Sequence, residues 1–302
     1  MKSVIFEENA MEQELLDKLL ECTSNNDGYT TSNCLLKASI GNLFIKKLNV
    51  IKIKHLYKGD YLDLFRDYYT KIRKLIDTNH VLGLIEKDGE IYEFSKLLKK
   101  ESLLDDANSF EWKDIKNLFC RVLENINNCV RYNIETNEKI GFETAIWNFT
   151  IDGTLFDLDP PKILKKTEDS SFTRKEDENH IKRTIYRSFD ETGMKLNLLV
   201  TLLLGEKHNS FIIKNKPDNY INELIEEIMK SFINKEECIR LFDRLQEGLS
   251  EKETFIDHPI ELLRRELSMR ETLKEKEIVF VGGTSESGKS GGINYILDNY
   301  PE

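Results

Sequence analysis

Gly283-Thr284-Ser285-Glu286-Ser287-Gly288-Lys289-Ser290 fits the pattern G-x-x-x-x-G-K-[ST] at every fixed position. Each fixed residue has a chemical task. Gly283 and Gly288 let backbone N–H groups turn inward on phosphate oxygens, Lys289 reaches the terminal phosphates, and the Ser290 hydroxyl coordinates Mg²⁺. This chemistry is the binding of a nucleoside triphosphate with its metal.

The flanks suit the motif. EIVFVGG, just before it, is a short continuous apolar run of the kind that forms a buried parallel strand, and GGINYILDNY, just after it, reads as a helix whose positive dipole end faces the phosphates. Only twelve residues lie beyond Ser290. A complete domain of this type also needs a second strand carrying a carboxylate. The expectation is therefore that residues 278–302 begin a truncated α/β domain, and that the parent protein carries a further P-loop domain.

The rest of the chain bounds what else it can do. Of 302 residues, 39% are hydrophobic and 32% charged, enough apolar material for one bilobal unit or two domains. The net charge of −10 disfavours a general nucleic-acid binder, which needs a basic footprint on the phosphate backbone. Five cysteines (Cys22, Cys34, Cys120, Cys129, Cys238) have no C-x-x-C spacing, so neither a zinc site nor a disulfide framework is indicated. The five histidines show no ligand spacing. The longest apolar stretch, Leu196–Leu204, is too short to span a bilayer and the N-terminus has no signal-peptide pattern. No membrane partner and a cytoplasmic location are expected.

Along the chain, residues 7–22 have helical periodicity, and CLLKASIG, NLFIKKL and VIKIKHL read as three β-type runs. Residues 60–77 return to helical period. Two strands joined by Asp88-Gly89 follow, a hairpin signal. A long amphipathic helix spans 111–133, and a second hairpin turns at Asp152-Gly153. Residues 163–180 are polar and read as an exposed loop. From Ile181 the chain is almost wholly helical, over 181–205, 218–233, 235–248 and 258–274. The domain plan is a β-rich segment 1–100, a helical segment 101–250, a helical linker 251–277 and the P-loop start 278–302.

This order resembles the protein-kinase-like fold of atypical and small-molecule kinases: α+β and bilobal, with a small β-rich lobe and a larger helical lobe. Particular residues carry the resemblance. GFETAIWN (141–148) resembles the catalytic loop H-R-D-x-x-x-x-N, with Glu143 at the base and Asn148 at the metal-binding amide. LFDLDPP (155–161) resembles the segment whose Asp holds Mg²⁺ against the phosphates, Asp157 being the closer match and Asp159 the alternative. NLFIKKL resembles the strand bearing the phosphate-binding lysine, either Lys46 or Lys47, since strand alternation turns only one of them inward. EFSKLLKKESL resembles the hinge that pairs with adenine. The helix 60–77 offers Asp63 and Asp67 as carboxylate partners for the lysine. No His-Arg precedes Glu143 and no G-x-G-x-x-G precedes the lysine.

The resemblance implies an ATP- and Mg²⁺-dependent phosphotransferase acting on a small-molecule hydroxyl. A small acceptor is favoured because the chain passes from Asp159 straight to Pro160-Pro161. A second reading is a pseudokinase-type module that binds nucleotide and regulates the attached P-loop unit. A third is an α+β interaction domain. The bland alternatives are equally concrete: Asp157 and Asp159 as strand-end carboxylates, Asn148 as a buried amide, and Glu143 as a surface acid.

Overall fold

In the computed structural model, which describes residues 2–6, 14, 17, 33–38, 41–48, 60–98, 109–136, 138–158, 162–164, 188–208 and 210–233, Asp88 and Gly89 close a tight hairpin. Both have positive φ, 55° and 78°. That is the geometry of a two-residue primed turn, which Asp-Gly adopts at little cost. The turn joins β4 (Val81–Lys87) to β5 (Glu90–Lys96), the middle of a five-stranded antiparallel sheet. The others are β1 (Lys2–Ile5), β2 (Asn33–Ala38) and β3 (Gly41–Lys47), and the order is β1-β4-β5-β3-β2.

The helix α1 (Tyr61–Ile72) connects β3 to β4 in sequence. Asp60 caps it, its carboxylate accepting from the N–H groups of Leu62 and Asp63. The Lys2 ammonium donates to the same carboxylate at 2.5 Å, and that bond holds the Asp60 carboxyl below its ordinary range. Phe65, Tyr68, Tyr69 and Ile72 of α1 join Val81, Leu84 and Ile91 of the sheet in the main core. The opposite sheet face carries a smaller cluster of Leu43, Ile45, Leu82, Ile85 and Phe94.

The second half is built on helices. β6 (Ser109–Glu111) leads into α2 (Trp112–Glu135), whose Ile115, Leu118, Phe119, Val122 and Ile126 face the core at helical spacing. β7 (Lys139–Gly141) pairs antiparallel with β8 (Lys162–Leu164). α3 (Glu191–Lys207) is buried on nearly every side, and its buried Lys195 is matched by Glu191 at 2.7 Å. β9 (Ile212–Lys214) pairs parallel with β6, and α4 (Tyr220–Ser231) completes the packing on α2.

Several sequence expectations shift. β1 extends the sheet on an edge for which no strand was expected; it pairs with β4 along Lys2–Ile5, and Val4 packs on the main core. β8 is a short strand at the start of the stretch read as an exposed loop, and β9 lies between the helices expected over 181–205 and 218–233. β9 alternates as a strand does: Phe211 and Ile213 are buried while Ile212 is exposed. Within the stretch expected to be helical over 181–205, α3 begins at Glu191, where the Asp190 carboxylate accepts from the Gly193 N–H at 3.1 Å, and residues 181–187 lie outside the described residues. The second hairpin contracts to a 3-10 turn (Ile146–Asn148) and one bridge, Phe149 opposite Leu155. VIKIKHL, the body of the 7–22 helix, residues 165–187 and everything from 234 on, including the linker and the phosphate loop, lie outside the described residues. Among the described residues, no helix is long and apolar enough to cross a membrane.

Candidate functional site

The site is assembled from the sheet, the loop after β7 and the turn at Asp152-Gly153. On β3, Lys46 and Lys47 point to opposite faces, as alternation requires. Lys47 pairs with Glu90 of β5. Lys46 takes the face that bears α1, and its Nζ donates to Asp157 Oδ1 at 2.8 Å. Its side chain is 14% exposed and that of Asp157 39%, so the pair stands at the edge of the interior.

Asp157 is delivered by a tightly bonded turn. The Thr150 N–H donates to Thr154 O at 3.0 Å, the Gly153 N–H to Thr150 O at 2.8 Å, and the Thr150 hydroxyl to Asp152 Oδ1 at 2.5 Å. Arg121 of α2 donates to the Asp152 carbonyl from outside. The turn returns the chain beside its own start: the Phe156 N–H donates to Asn148 O at 3.1 Å. Asn148 and the residue preceding Asp157 are thus backbone neighbours, and Asn148 is buried.

The loop 142–148 is held from both sides. Tyr68 of α1 donates to Gly141 O at 3.0 Å. From α3, Asn197 Nδ2 donates to Thr144 Oγ1 at 3.1 Å, Thr144 Oγ1 donates to Met194 O at 2.9 Å, and the Ile146 N–H donates to Thr201 Oγ1 at 3.0 Å. Phe142 and Phe149 meet edge to face with centroids 6.1 Å apart. Between the buried Phe142 and Thr144, Glu143 is exposed. Gly141 sits so close to Ser188 that a Cβ there would lie 1.6 Å from its carbonyl oxygen. Only a residue without a side chain fits.

The structure therefore brings Lys46 to Asp157 and sets Asn148 beside the segment that carries it. Glu143 projects from the same loop as Asn148. The carboxylates suggested for the lysine go elsewhere: Asp63 pairs with Arg66 at 2.7 Å and Asp67 with Lys71 at 3.0 Å. Asp159, Gly283, Gly288, Lys289 and Ser290 lie outside the described residues.

Sequence reading passed over Glu93. It is 3% exposed, accepts from the Ser95 hydroxyl at 2.6 Å and from the Tyr69 hydroxyl, and is the cross-strand partner of Lys46. A signal was available. Ile91, Glu93 and Ser95 share one face of β5, and an acid in the middle of a buried face calls for a partner. Thr144, Asn197 and Thr201 had no such signal, since their role depends on how the loop meets α3.

Among the described residues, no three His, Cys, Asp or Glu side chains cluster so as to hold a metal by themselves. The donors Asp157 and Asn148 are both oxygen donors, which suits Mg²⁺ shared with phosphate oxygens. No family model matches the chain, and no curated protein matches it. Among solved structures it is similar to one described as the pseudokinase domain of BIR2, an immune regulator of the RLK/Pelle family. That likeness has 14% identity and a TM-score of 0.39, and covers 91% of this chain and 90% of that one.

Proposed function

We propose that residues 1–250 form a kinase-like, ATP- and Mg²⁺-dependent phosphotransferase unit acting on a small-molecule hydroxyl. The observation that supports it is the Lys46–Asp157 pair: a strand lysine and a turn carboxylate, 111 positions apart in the chain, meeting at 2.8 Å. Phosphoryl transfer is chiefly positioning and charge neutralisation. Lys46 would take the α- and β-phosphates. Asp157, with the Asn148 amide oxygen, would hold the Mg²⁺. When bound, the metal neutralises charge that develops on the transferred phosphoryl group. Glu143, exposed on a loop clamped by α1 and α3, is the group to orient an acceptor hydroxyl and accept its proton.

The glutamate is one methylene longer than the aspartate usual at that place, and Gly141-Phe142 stands where His-Arg is usual. That observation favours a second reading, a nucleotide-binding regulatory module for the P-loop unit expected beyond residue 278. Transfer of labelled γ-phosphate separates the two, measured with a library of small hydroxyl compounds on protein whose P-loop is silenced by Lys289→Ala. The enzyme reading expects turnover that falls by ~10²–10⁴-fold in Glu143→Gln with ATP affinity retained. Binding without turnover on any acceptor would support the regulatory module.

A further inference from the structure

Asp63 and Asp67 of α1 pair with Arg66 and Lys71. Toward the sheet, α1 offers a hydroxyl. Tyr69, fully buried, donates to Glu93, and Ser95 donates to the other carboxylate oxygen at 2.6 Å. Glu93 is thus clamped at both oxygens. In the β3–β5 register its Cα partner is Lys46. Directly opposed residues of an antiparallel pair project to the same face with Cβ atoms about 4.5–5.5 Å apart.

We infer that Glu93, fixed by Tyr69 and Ser95, is the positioning carboxylate of Lys46. The inference rests on the reading that Lys46 binds phosphate. A lysine has a flexible four-carbon stem, and its ammonium must be held in place to serve as a point charge. The Lys46 ammonium donates to Asp157 at 2.8 Å, but Asp157 is also the residue that would turn to the metal. Glu93 is rooted in a central strand and only 3% exposed. It stays in place when Asp157 changes partner and keeps Lys46 on the phosphate side of the sheet.

The test uses the full chain carrying Lys289→Ala, with Glu93→Gln, which keeps the size and the acceptor oxygen while removing the charge. Affinities for MgATP and for adenosine are measured by calorimetry. Unfolding in urea is followed for Lys46→Met, Glu93→Gln and the double variant without nucleotide. The expected result is a loss of about tenfold in MgATP affinity with adenosine affinity unchanged. The unfolding constants should be coupled by about tenfold between the two positions. A merely structural role would weaken adenosine and ATP alike and give additive unfolding, and either result overturns the inference. Loss of MgATP binding in Lys46→Met with no effect of Glu93→Gln on any measurement also overturns it, while leaving the phosphotransferase reading intact. Coupled unfolding in a protein that binds no ATP upholds the Lys46–Glu93 pairing and removes the phosphotransferase reading instead. Should Glu93→Gln fail to fold, Tyr69→Phe releases one side of the clamp and is expected to act in the same direction.

Discussion

Lys46 Nζ lies 2.8 Å from Asp157 Oδ1, so the ammonium occupies the carboxylate that a metal ion would need. On the proposed reading, one positive charge would be exchanged for another on metal binding. Nucleotide would promote that exchange by offering Lys46 its phosphates, so MgATP would bind better than either component alone.

Without nucleotide, then, Lys46→Met is expected to strengthen divalent-ion binding at Asp157 while weakening ATP binding. Asp157 is 39% exposed, so the competing ion pair is worth at most about 1 kcal/mol, roughly fivefold in affinity. Mn²⁺ titration followed by paramagnetic relaxation, in Lys289→Ala protein, checks it. Weaker Mn²⁺ binding in the variant would mean that the two charges do not compete.

Gly141→Ala is expected to destabilise the fold by about 2–3 kcal/mol, because the new methyl would meet Ser188 O, a backbone atom that can move only with the chain leading into α3. The loss is read as a drop in the urea midpoint. A shift within error of the parent would show that this approach relaxes freely, and with it the anchoring of the loop bearing Glu143.

His80 is 7% exposed and neither ring nitrogen has a hydrogen-bond partner. Burial pushes its pKa below the ordinary 6.5; the nearby Glu93 and Asp77 oppose that shift and Arg73 adds to it. The sign follows. The unfolded chain takes up the proton first as pH falls, so stability contributed by the neutral imidazole is present above about pH 6.5 and lost below it. Thermal midpoints measured between pH 7.5 and 5 should fall more for the parent than for His80→Leu. Parallel curves would contradict the assignment.

How much of this was legible in the sequence depends on the range of the forces involved. The Asp88-Gly89 turn, α1 and α2 were readable because turn chemistry and helical periodicity are local. The lysine strand was readable too, but the choice between Lys46 and Lys47 was not, since it depends on which face α1 covers. β1, β8 and β9 were missed because three or four residues carry too little periodicity and form only against partners far along the chain. Glu93 escaped notice for the same reason: its meaning comes from a register with β3 that no local pattern specifies.

If Lys46 and Asp157 form one nucleotide–metal site, a calorimetric MgATP titration of Lys289→Ala protein with and without Asp157→Ala reads it out. The expected result is binding in the parent that requires Mg²⁺, weakened by about tenfold or more in the variant, with the thermal midpoint nearly unchanged because the carboxylate is partly exposed. Equal MgATP affinity in the two proteins, or affinity indifferent to Mg²⁺, would contradict it.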